Sequence, residues 1–112
     1  MTEALNPEDA KLVTLARGAR GRVGADSGAA VRDETGRTYS GADVRLPSMS
    51  VSSLALAVVQ AVAAGARGAE AAVVVGPDPT SADIDVLRDL AGPGVPVIAC
   101  SPDGTVRTRL RT

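Results

Sequence analysis

The side chains able to do polar chemistry gather at two places, Ser48–Ser53 and Thr80–Asp85, each at the start of a stretch with helical spacing. Ser52, Thr80, Ser81 and Asp83 would then converge at two facing helix N-termini. Free N–H groups there form an anion-friendly polar pocket, able to hold a phosphate, a carboxylate or a nucleotide. Asp83 would oppose a phosphate, so a neutral or cationic ligand suits the pocket better. Ser, Thr and Asp are also the residues that cap helices, and capping alone accounts for all four. A serine nucleophile would need a base, yet the chain has no His, and its one lysine, Lys11, is not placed nearby.

Other candidates reduce to plainer roles. Cys100 is the only cysteine, which excludes an intramolecular disulfide or a multi-Cys metal site. It follows an apolar run, where inert packing is a simpler role than a reactive thiol. The pairs Asp33–Glu34 and Asp83/Asp85 read as a turn and a helix first turn. Gly24 and Gly28 lack the spacing and following helix of a dinucleotide fingerprint. Arg17, Arg20 and Arg22 suit a helix C-terminus. Arg107, Arg109 and Arg111 alternate with Val106, Thr108 and Leu110, as in an edge strand blunted by charge rather than an anion- or RNA-binding stripe.

The elements that position these residues follow from period and punctuation. Between Ser53 and Gly65 the only polar side chain is Gln60, and Leu54, Val58, Ala61 and Val62 share one helical stripe. This central helix is expected from about Ser50 to Ala64. Asn6-Pro7-Glu8-Asp9 starts an earlier helix, with Leu12, Leu15, Ala16 and Ala19 at helical spacing and an end at Gly18 or Gly21. Gly28–Asp33 and Thr38–Val44 read as a hairpin turning at Gly36. Glu70–Val75 and Val95–Cys100 read as buried strands, flanking a helix capped by Thr80 or Ser81 and ending near Leu90. Thr105–Leu110 is a last strand. The order α-β-β-α-β-α-β-β predicts an α/β fold with a mixed sheet covered by helices.

At 112 residues, one domain over residues 1–112 is expected. Its 45% apolar content is almost wholly Ala, Val and Leu, with Tyr39 the only aromatic, so a modest core is expected, with association supplying further burial. An apolar strip as long as the central helix is uncommon on a monomer, which predicts a homo-oligomer, a dimer or tetramer. A net charge of −1 gives no field toward nucleic acid or anionic membrane. Met1–Asn6 has no basic n-region or apolar run, and no apolar stretch is long enough to span a bilayer, so a cytoplasmic location is expected.

Gly28-Ala29-Ala30-Val31 with Thr35–Gly41, the helix end Ala57–Gly65, the strand Ala71–Val75, and Pro79 followed by Val86, Leu87 and Leu90 together resemble the small homotetrameric cytidine deaminase family, from roughly Gly28 to Leu110. The resemblance implies a three-layer α/β/α fold with a five-stranded mixed sheet. It also implies a zinc ion held by a His or Cys and two further Cys, a proton-shuttling Glu, and active sites completed by neighbouring subunits. Position by position, the first ligand falls at Ser52, the Glu at Leu54, and the other two ligands at Thr80 and Asp83. The family's ribose- and base-binding pair falls at Asp43 and Arg45. With one Cys and no His, no register restores three soft ligands. No zinc and no other cofactor is therefore expected. The expected function is that of a catalytically degenerate relative, a pseudoenzyme acting by binding or assembly. The alternative is a metal-free enzyme, or a small-molecule or nucleoside-binding protein, using a remodelled pocket of Asp43, Arg45, Ser52, Thr80, Ser81 and Asp83.

Overall fold

A computed structural model describes residues 4–112; the first residues of Met1–Asn6 lie outside it. Helix α1 spans Pro7–Val23, and the Asn6 side chain caps it by accepting from the Asp9 amide at 2.8 Å. The helix does not stop at Gly18 or Gly21 but at Gly24, whose φ of 64° makes the left-handed cap. A glycine within a helix costs only about 1 kcal/mol, and burial of Ala16 and Ala19 on the sheet carries the helix through both. Val13 faces inward, whereas Leu15, which shares the helical spacing, is exposed.

Strands β1 (Gly28–Asp33), β2 (Thr38–Ala42), β5 (Ala69–Val75), β6 (Pro96–Cys100) and β7 (Val106–Arg111) form one mixed sheet in the order β2-β1-β5-β6-β7. Only β5 and β6 run parallel, joined by helix α3 (Ser81–Ala91). The expected order is present, with one addition. The segment expected to lead directly into the central helix forms a separate hairpin, β3 (Val44–Leu46) and β4 (Met49–Val51). The Leu46-Pro47-Ser48-Met49 turn hides it: no Gly marks the reversal, and each strand is only three residues long.

Two apolar layers enclose the sheet. Leu12, Val13 and Ala16 of α1 pack on Ala30, Val73, Val75 and Ile98. Helix α2 (Ser53–Ala63) and α3 cover the other face through Leu54, Ala57, Val58 and Leu87, against Ala29, Val31, Val74 and Val97. The contact of α1 with β1 is close enough to require glycine at position 28, where a Cβ would lie 2.1 Å from the Ala16 carbonyl oxygen. The inward stripe of α2 is Leu54, Ala57, Val58 and Ala61; Val62 turns outward with Val59, at 51% and 49% exposure. No helix among the described residues is long and apolar enough to cross a membrane.

The β1–β2 turn is organised by a buried carboxylate. Asp33 accepts from the Thr35 hydroxyl (2.7 Å), the Thr35 and Arg37 amides (2.8 and 3.0 Å) and the Tyr39 hydroxyl (2.9 Å). Burial pushes its pKa up, but these four donors outweigh burial and hold the carboxyl below its ordinary value. Burial, followed by the bond to Asp33, raises the pKa of Tyr39. Because the folded pKa of Asp33 is depressed, its contribution to stability is complete above an unfolded pKa of about 3.9. That contribution is lost as pH falls through the lower folded value. Asp33→Ala should cost about 2–3 kcal/mol at neutral pH, measured by urea denaturation, and the difference from wild type should shrink below the unfolded pKa.

Candidate functional site

Three segments converge at one end of the sheet. The chain enters β1 through Asp26 and Ser27, leaves β2 through Asp43, and starts α2 at Ser52. The Ser27 amide donates to Asp43 Oδ1 at 2.8 Å, and the Asp43 amide returns a bond to the Ser27 carbonyl at 3.2 Å. The Ser27 and Ser53 hydroxyls meet at 2.5 Å. This side-chain and backbone stitching places the N-terminus of α2 beside the entry to β1. The parallel β5–β6 pair, with its α3 crossover, brings the Gly76–Pro79 loop and Asp83 to the same end.

Between them lies a cleft of about 300 Å³. Of the residues singled out in the sequence, Asp43, Arg45, Ser52, Leu54 and Asp83 line it, whereas Thr80 and Ser81 do not. Sequence reasoning missed Asp26, Ser27 and Asp78 as cleft residues, and took Ser53 only as a possible helix cap. Their only local signal is polarity beside a strand or helix end, and the Ser27–Ser53 contact joins residues far apart in the chain.

Ser52 caps α2 by accepting from the Ala55 amide at 3.2 Å. Thr80 and Asp83 form a reciprocal capping box: Thr80 Oγ1 accepts from the Asp83 amide at 3.1 Å, and Asp83 Oδ2 accepts from the Thr80 amide at 3.0 Å. The capping role and the cleft therefore coexist at Ser52 and Asp83. Leu54 is 1% exposed and belongs to the α2-side core.

Four aspartates and one arginine line the cleft, giving it negative character. Arg45 lies at the mouth, 3.7 Å from Asp26 and 4.0 Å from Asp43. Asp78 pairs with Arg107, which also donates to the carbonyls of Gly76 (2.7 Å) and Cys100 (2.8 Å). Arg107 thus clamps the ends of β5 and β6, and Arg111 donates to the Gly94 carbonyl at 2.9 Å. Cys100 is fully buried; burial raises its pKa, with Arg107 and Arg109 opposing in part.

A family model described as cytidine deaminase-like matches residues 5–104. The chain belongs to the cytidine deaminase-like family. Its fold is similar to that of a cytidine deaminase from Burkholderia pseudomallei, at 26% identity and a TM-score of 0.78, covering 91% of this chain and 89% of that one. Cytidine deaminases from Mycobacterium leprae (17% identity, TM-score 0.72, 92% and 94% covered) and Mycobacterium tuberculosis (20%, 0.72, 82% and 85%) share the fold. No curated protein matches the sequence.

The donors at the implied zinc positions do not fit that metal. Ser52 and Thr80 offer neutral hydroxyls, poor zinc ligands at neutral pH, and both already accept capping bonds. Asp83 contributes one carboxylate, itself engaged by the Thr80 amide. Among the described residues no group of three or more His, Cys, Asp or Glu is placed to hold a metal ion. Ser52→Cys, Thr80→Cys and Asp83→Cys introduced together should confer binding of one Zn²⁺ or Co²⁺, read by metal analysis and by the cobalt–thiolate absorption band. A folded triple variant that takes up neither metal would show that these positions do not converge as metal ligands.

Proposed function

We propose that this protein is a catalytically degenerate member of its family, a pseudoenzyme that acts by binding or assembly. The observation that carries the reading is Leu54. The position that the resemblance assigns to the proton-shuttling Glu is a buried apolar side chain packed into the core beneath the cleft. No imidazole, thiol or lysine amine lines the cleft to replace it. The chain is expected to carry no stoichiometric zinc and to form no uridine from cytidine. A zinc per chain on metal analysis, or deamination at ordinary enzymatic rates, would overturn this.

The open cleft supports small-molecule binding as a second reading. Its aspartates favour a neutral or cationic ligand over a phosphorylated one.

Assembly is supported by α2. Its outward residues include Val59 and Val62, each about half exposed, and the whole helix carries no charge. A symmetric contact between two copies must be self-complementary, and an uncharged face of valine and alanine meets itself without repulsion. Wild-type protein should sediment as a dimer or tetramer at micromolar concentration. Val59→Glu and Val62→Glu should each shift it to monomer; a wild-type monomer boundary would refute the assembly.

A further inference from the structure

The β3–β4 hairpin forms part of the cleft wall and is fastened only at its base. Val44, Arg45, Ser50 and Val51 line the cleft, and Val44 and Val51 are half-buried there. Beyond them the hairpin runs out into solvent. Leu46 and Met49, paired across its tip, are 59% and 61% exposed and lie outside the cleft lining. Side chains alternate along each strand, so these two continue the face begun by Val44 and Val51. That apolar face is covered at its base and bare at its tip.

The firm attachments to the body are at the two ends. Asp43, just before β3, exchanges two bonds with Ser27, and Ser52, just after β4, caps α2. Between these points the two strands pack extensively only on each other. A lone two-stranded hairpin is at best marginally stable in water, and an element with few buried contacts is where a fold opens most readily. Arg45 adds one loose link: it lies 3.7 Å from Asp26, on the loop entering β1, and 4.0 Å from Asp43. Both distances are beyond a hydrogen bond, so the ion pair is only half made. Two residues of strand carry the chain roughly 7 Å from base to tip, about the edge of a cube holding the cleft's volume of about 300 Å³. The tip is therefore long enough to cross the cleft, whose β5–α3 wall carries Pro77 and Pro79.

We propose that β3–β4 is a lid, hinged at Asp43 and Ser52, which closes over a ligand in the cleft by laying Leu46 and Met49 on Pro77 and Pro79, with Arg45 and Asp26 as its latch. The proposal rests on the small-molecule reading above and adds the gate to that site. In this structure the lid stands open. Closure takes the bare tip out of water and brings the Arg45 guanidinium within hydrogen-bond reach of Asp26. Excluding water from the mouth strengthens that pair. A bound ligand gives the tip a filled cleft to close on, so entry and release pass through the hairpin.

Two double variants, Leu46→Cys/Pro77→Cys and Met49→Cys/Pro77→Cys, test the closure. Mild oxidation of dilute protein should join the two cysteines within one chain in at least one variant, read by intact mass and by the absence of a doubled band on a non-reducing gel. Cys100 is buried and stays out of the reaction. Adding Asp26→Asn should slow the joining about two- to fivefold at low salt, the range of an exposed ion pair, and about 0.5 M NaCl should abolish the difference. If both variants, folded by circular dichroism, stay reduced or join only between chains, the lid is refuted. An unchanged rate with Asp26→Asn refutes the latch. Binding is read separately, by titrating cytidine, a neutral probe, and benzamidine, a cationic one. The oxidised variant should exclude whichever probe wild type and the reduced variant bind, and equal binding by oxidised and reduced protein refutes the gate. Binding without closure leaves the small-molecule reading and removes the lid; closure without binding of either probe supports the lid and counts against that reading.

Discussion

The parallel pairing of β5 with β6, which sets Val75 opposite Cys100, is the constraint on which the rest of the structure depends. Two parallel neighbours cannot be joined by a tight turn, so the chain must cross over the sheet. Here α3 is that crossover, and the handedness of such connections places it on the face shared with α2. The N-terminus of α3 consequently opens at the end of the sheet where β5 finishes, beside the N-terminus of α2. A polar cleft at that end is thus a product of topology before any particular side chain is chosen. Arg107 secures the arrangement by donating to the carbonyls of both Gly76 and Cys100, the residues closing β5 and β6.

The reach of sequence reasoning followed the range of the interactions involved. Gly28–Asp33 was legible to the residue because its ends are set locally, by a glycine crowded under α1 and by the Asp33 turn. Asn6 was legible as a cap for the same reason, and Thr80 as one of two candidates with Ser81. The glycines of α1 misled because tertiary burial of Ala16 and Ala19 overrides helix propensity, which is a weak local preference. The β3–β4 hairpin was invisible, since its strands are too short for alternation to be distinguished from a linker. In the cleft, Ser52 and Asp83 were legible as polar residues at helix starts, and Asp43 only through the match to a family pattern. Asp26 and Ser27 could be found only once the backbone brought them to the start of α2.

Leu54 shows why the differences from the zinc-binding pattern belong together. A carboxylate there would be almost wholly enclosed and would face no cation. Burying an unpaired charge carries a penalty of several kcal/mol, or forces the group to stay protonated. Beside a zinc ion that penalty is offset; above Ser52, Thr80 and Asp83 it would not be. An apolar side chain at position 54 instead joins Ala57, Val58 and Val74 in the core. The capping side chains at the implied ligand positions act in the same direction. Thr80 and Asp83 satisfy amides at the start of α3 that every helix leaves unpaired, and Ser52 does so for α2. Ser52, Thr80 and Asp83 thus stabilise the two helix starts through capping bonds that thiol side chains would not supply as well. On this reasoning the ligand positions and the Glu position are coupled, and restoring one without the others would leave a buried charge or an empty ligand set.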